Sequence, residues 1–149
     1  MFSKVLVAVD GSENSDRALD FALDFAEKYG AALTVINVTE SSAVAAVPAD
    51  IGSYPGNNMI VVARDLQKYH EGILEKALAH AKAVKPNVAV TSFLKEGNAA
   101  SVIAEVSKDG GFDVVVVGHR GGGKVRELLL GSISEKVVHT VPCTVIIVK

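Results

Sequence analysis

Gly118, Gly121, Gly131 and Ser132 fall in the spacing G-x2-G-x9-G-S, and the first of them follows a run of four valines at 114–117. Peptide N–H groups bind anions well where no side chain stands in the way, and glycine allows both positive φ and close backbone approach. A helix opening near Gly131 would aim its unpaired amides at the same point, with the Ser132 hydroxyl beside them. That concavity suits a phosphate. The segment therefore predicts a nucleotide-binding domain, its polyphosphate held between the end of one strand and the start of the last helix. Arg120, Lys124 and Arg126 lie in the same loop, with Glu127 as the opposing charge, and are either phosphate contacts or simply solvated cations. Ser132 could equally serve as an ordinary helix cap, because capping and phosphate binding use the same amides.

Two other phosphate motifs fit less well. A dinucleotide fingerprint needs G-x-G-x-x-G directly after the first strand, where Asp10-Gly11-Ser12 supplies one glycine. A P-loop needs G-x-x-x-x-G-K-[ST], but GHRGGGKV at 118–125 ends on Val125 and lacks the hydroxyl that would ligate magnesium. Its place after the fourth strand also argues against it. Catalysis finds thin support: there is no G-x-S-x-G elbow, and nothing pairs His119 with a nucleophile. His70 and His80 are ten residues apart, not at the four-residue spacing of a helical metal pair, so no protein-built metal site is expected. Binding without fast turnover is the economical reading.

These residues need a scaffold, and short aliphatic runs alternating with helical stripes supply one. Strands are predicted at 5–9, 31–38, 88–94, 113–117 and 143–148. Ser12 is the candidate N-cap of a helix whose stripe runs Ala18, Phe21, Ala22, Phe25, Ala26, Tyr29 and stops at Gly30. Ser15 stands where a full capping box has Glu or Gln. Residues 39–59 hold no period and read as a long connection. A stripe through Val62, Leu66, Tyr69, Ile73, Ala77, Ala81 and Val84 predicts a helix at 60–84, closed before Pro86. Asn98 can cap a third helix carrying Val102, Ile103 and Val106, while Ile133, Val137, Val138 and Val141 mark the last, ended by Pro142.

Five strands alternating with four helices predict one α/β domain over 1–149, a doubly wound five-stranded parallel sheet with helices on both faces. In the order 3-2-1-4-5, Asp10 at the end of the first strand neighbours Gly118 at the end of the fourth. Sheets of this kind bind ligands at that switch point. Asp10 could be a plain turn residue, but its place opposite the glycine loop favours a ligand role.

The chain of 149 residues is 49% hydrophobic yet only 5% aromatic, so its core must be built from small aliphatics, as buried parallel strands are. A net charge of −2 gives no electrostatic footprint for nucleic acid or an anionic membrane. Cys143 is the single cysteine, which excludes a disulfide framework and points to a reducing compartment. The apolar run at 5–9 is too short for a signal peptide or a spanning helix, so a soluble cytoplasmic protein is expected. The run from Cys143 to Val148 is unusually apolar for a sheet edge and predicts a two-fold homodimer in which it pairs with its own copy.

Together with VAVDGS at 7–12 and VPCTVIIV at 141–148, the glycine motif resembles the universal stress protein family, and more narrowly its ATP-binding branch. The resemblance runs from Val5 to Val148 and includes the order of elements. It implies an ATP site in which Asp10 and Val38 flank the adenosine, and Val117 and Gly118 lie against the ribose and first phosphate. Gly121, Gly131, Ser132 and Ser134 would hold the phosphates. It further implies Mg²⁺ or Mn²⁺ carried mainly by the nucleotide and water, a dimer, at most slow hydrolysis, and a regulatory role in stress read by a protein partner.

Overall fold

The computed structural model describes residues 1–40, 57–119 and 130–149. Strands β1 (Lys4–Ala8), β2 (Ala32–Thr39), β3 (Val90–Glu96), β4 (Val114–Gly118) and β5 (Thr144–Val148) form one sheet in the order β3-β2-β1-β4-β5. Every neighbouring pair is parallel. Among the described residues it is flanked by helices α1 (Glu13–Tyr29), α2 (Asn57–Val84), α3 (Ala99–Asp109) and α4 (Ser132–Thr140). None of these helices is long and apolar enough to cross a membrane.

The valine-rich strands are explained by burial on both sides. Val5, Val7, Leu33, Val35, Val114 and Val116 pack with Leu19, Leu23 and Leu74 of α1 and α2. Their alternates Leu6, Ile36, Val115 and Val117 pack with Ile103 and Val137 of α3 and α4. Each strand thus feeds two half-cores with period two. Ser12 caps α1, accepting from the Ser15 N–H, and Gly30 ends that helix in the left-handed region at φ 65°. Ser15 does not close a capping box: its hydroxyl donates to the Ser12 carbonyl at 2.9 Å and accepts from the Asp10 N–H at 3.3 Å, while the Ser12 N–H is taken by Asp10 Oδ1.

Several expectations are corrected. β3 begins and ends two residues later than predicted, because Lys95 and Glu96 pair with Val38 and Thr39 although their side chains are polar. An edge strand exposes such side chains freely, so apolar composition ends before the ladder does. α2 begins at Asn57, three residues before the predicted 60, so the 39–59 connection is shorter at both ends. Most of that connection, 41–56, lies outside the described residues. The apolar stripes were drawn too wide: Phe21, Tyr29, Tyr69, Val84, Ile133 and Val138 are exposed, while Leu19, Leu23 and Leu74 are buried.

Candidate functional site

The order of strands sets the carboxyl ends of β1 and β4 side by side, with Val7 opposite Val116. Above them lies a cleft of about 480 Å³, within the roughly 300–1,000 Å³ of small-ligand sites. Asp10, Val38, Val117, Gly118, Gly131, Ser132 and Ser134 all line it. The other predicted contacts, Gly121, Arg120, Lys124 and Arg126, lie outside the described residues. The motif reading missed Ile36, Ala99, Ile103 and Glu40, which also line the cleft. Ile36 and Ile103 share the half-core beneath it. Nothing in their local sequence marks a ligand: Ile36 and Glu40 lie on or just beyond β2, and Ala99 and Ile103 meet them only because α3 crosses back over the sheet.

One end of the cleft is a helix mouth. Gly131 is the N-cap of α4, with φ −64° and ψ 154° and no side-chain cap hydrogen bond. This corrects the reading of Ser132 as the helix cap; Ser132 is the first residue of the helix, and exposed. The first amides of any α-helix have no intrahelical acceptor, and a glycine cap offers them none. The amides of Ser132 and Ile133 and the Ser132 hydroxyl therefore open toward the cleft as a donor group at the positive end of the helix dipole. Ser134 has a different local task. Its buried hydroxyl donates toward the carbonyls of His119 and Gly131, both at 2.9 Å, and the Gly131 N–H donates to His119 at 3.0 Å. These bonds fasten the helix mouth to the exit of β4.

The opposite end is a strand edge. The Val9 N–H donates to the Ile36 carbonyl, whereas the Thr39 carbonyl accepts from Gly97 on the far side. Backbone groups alternate sides along a strand, so those of Val38 face the β1 side. β1 has already ended there. The Val38 N–H and C=O are thus presented to the cleft as an adjacent donor and acceptor. Asp10 stands close by in an Asx turn, its Oδ1 accepting from the Ser12 N–H at 2.9 Å. Between the two ends the wall is apolar, formed by Ile36, Ile103 and Val117.

Gly118 has a packing reason of its own. A Cβ there would lie 2.8 Å from the Asn14 carbonyl oxygen, closer than side-chain carbons come to backbone. β4 can therefore run this near to the start of α1 only with glycine at its end.

The family model of universal stress proteins matches residues 1–149. The chain belongs to the universal stress protein family. It is 33% identical to universal stress protein YxiE of Bacillus subtilis over 150 residues, covering 100% of both chains. Among solved structures, this universal stress protein is similar to UspA from Lactobacillus plantarum, with a TM-score of 0.80 and 22% identity over 99% of this chain and 98% of that one. It is also similar to a universal stress protein in complex with cAMP, with a TM-score of 0.70 and 25% identity over 99% and 97% of the two chains. These likenesses agree with the five-stranded parallel sheet and its order.

Proposed function

We propose that this universal stress protein binds ATP in the cleft and acts as a nucleotide-dependent regulator, with at most slow hydrolysis. The observation that carries the reading is the glycine-capped mouth of α4 at one end of a slot whose other end offers the backbone edge of Val38. The adenine edge pairs with the Val38 N–H and C=O, while its face lies against Ile36 and Val117. Asp10 accepts from a ribose hydroxyl. Val117 and Gly118 border the ribose and first phosphate, and the Gly131–Ser132 turn with the following amides receives the rest. The neighbour solved with cAMP, an adenine nucleotide, supports the ligand class. Among the described residues no group of three His, Cys, Asp or Glu is placed to hold a metal ion. A Mg²⁺ or Mn²⁺ would be carried mainly by phosphate oxygens and water and would neutralise phosphate charge, with the Ser132 hydroxyl, which lines the cleft, as a protein group that could hold it.

Slow turnover is proposed from the sequence motif, which supplies phosphate donors and pairs no base with a nucleophile. The working form is proposed to be a homodimer joined through β5, and its nucleotide state to be read by a protein partner in the cytoplasm.

The test is thermal unfolding with ATP and Mg²⁺. At 100 times Kd the ligand should stabilise by about 2.7 kcal/mol, which for a chain of this size moves the midpoint by roughly 5–10 °C. Gly131→Val should abolish the shift yet fold, because the Gly131 backbone is already extended and suits a β-branched residue. An ATP shift unchanged in that variant would place the phosphates elsewhere. Phosphate release far above background, lost in the same variant, would make the protein an enzyme instead.

A further inference from the structure

His70 of α2 is half-buried, with its Nδ1 2.6 Å from Asn37 Oδ1. Asn37 is only 1% exposed, and its Nδ2 donates to the Val9 carbonyl at 2.7 Å. That second bond fixes the amide, since the flipped orientation would set two oxygens against each other. Oδ1 therefore faces His70 as an acceptor, and Nδ1 has to carry the hydrogen. The relay runs from His70 through Asn37 to Val9 and ends on the two strands whose next residues, Val38 and Asp10, border the cleft. α2 touches the same turn a second time. Gly11, at φ +82°, packs so near Ile73 that a Cβ there would lie 3.3 Å from its Cδ1 and Cγ1. His70 itself is not among the residues lining the cleft.

We infer that His70 is a positioning residue for the adenosine end of the cleft, setting Asp10 and the Val38 backbone through Asn37 and Val9. The inference rests on the nucleotide reading above. Removing the imidazole leaves Asn37 Oδ1 buried without its donor, and the amide, held then only by its bond to Val9, is no longer fixed in orientation. The exit of β1 then keeps its backbone bond from Val9 to Ile36 but loses the second, side-chain tie to β2 as a firm constraint. The mouth of α4, fastened to β4 by Ser134, is not part of this relay.

The two ends can be read separately by calorimetry with ATP and with inorganic tripolyphosphate, each with Mg²⁺. Tripolyphosphate reports the α4 end alone. His70→Ala should weaken ATP about tenfold and leave tripolyphosphate unchanged, the loss expected for one buried hydrogen bond. His70→Asn keeps a donor at the Nδ1 position and should restore most of the ATP affinity. Nitrogen-15 spectra of the parent should show hydrogen on His70 Nδ1. An equal loss of both ligands would reduce His70 to general packing and overturn the inference, as would undiminished ATP binding, no rescue by Asn, or a bare Nδ1. If the parent binds neither ligand, the nucleotide reading fails and carries the inference with it. If the parent binds both and His70→Ala changes nothing, the inference fails alone.

Discussion

Asp113 shows how much one side chain can organise away from the cleft. Its Oδ2 accepts from the Ser3 N–H at 2.7 Å, the Ser3 hydroxyl at 2.9 Å and the Lys4 N–H at 2.9 Å. The bond from the Ser3 N–H, then that from Lys4, then the Ser3 hydroxyl hold its carboxyl below the ordinary value of 3.8. A carboxyl lowered in the folded state stabilises the fold above its unfolded value, and that contribution fades as pH falls through the folded value. Asp113→Asn should therefore lower the urea midpoint at neutral pH, with the gap to the parent closing as pH drops below 3.8. A gap equal at neutral and strongly acid pH would refute the charge-based account. Sequence reading placed Asp113 at a strand start but had no means of finding this role, because its partners are about 110 residues away. The relay from His70 was hidden for the same reason: two polar residues 33 apart become partners only once α2 crosses the sheet. Gly131 was legible because its signal is local, a small residue ahead of a helical stripe.

At the level of elements, strand positions and order could be read from runs such as the valines at 114–117, because a strand covered on both faces has no polar alternation to blur it. Edges and helix faces were less legible. β3 ends on Lys95 and Glu96, and α4 exposes Ile133 and Val138, so hydrophobicity alone misplaced both. β5 is the opposite edge, and its backbone parity allows a sharp test of the proposed dimer. The Thr144 N–H donates to Asp113, and the Val148 carbonyl accepts from His119, so residues of that parity face β4. The groups of Val145 and Ile147 point to the open edge. Val145→Pro should remove one outward donor without disturbing the β4 ladder, as proline is tolerated where its missing N–H faces away from the sheet. Light scattering should then show the parent as a dimer and the variant as a monomer that still binds ATP. A monomeric parent at micromolar concentration would dispose of the β5 interface.

For the whole molecule, the telling feature is the pair of half-cores on either side of the sheet. Leu23 lies in one and Ile103 in the other, each essentially inaccessible to solvent. The strands act as a bulkhead, so a void opened on one side has no side chains of the other to draw in. Leu23→Ala should cost about 2–5 kcal/mol and Ile103→Val about 0.5–1.5 kcal/mol. Denaturation of the double variant should return the sum to within roughly 0.5 kcal/mol, as for sites that share no neighbours. A larger discrepancy would mean that the bulkhead flexes. If it stays rigid, substitutions can accumulate in the α1–α2 compartment without reshaping the floor on which the adenine is proposed to rest.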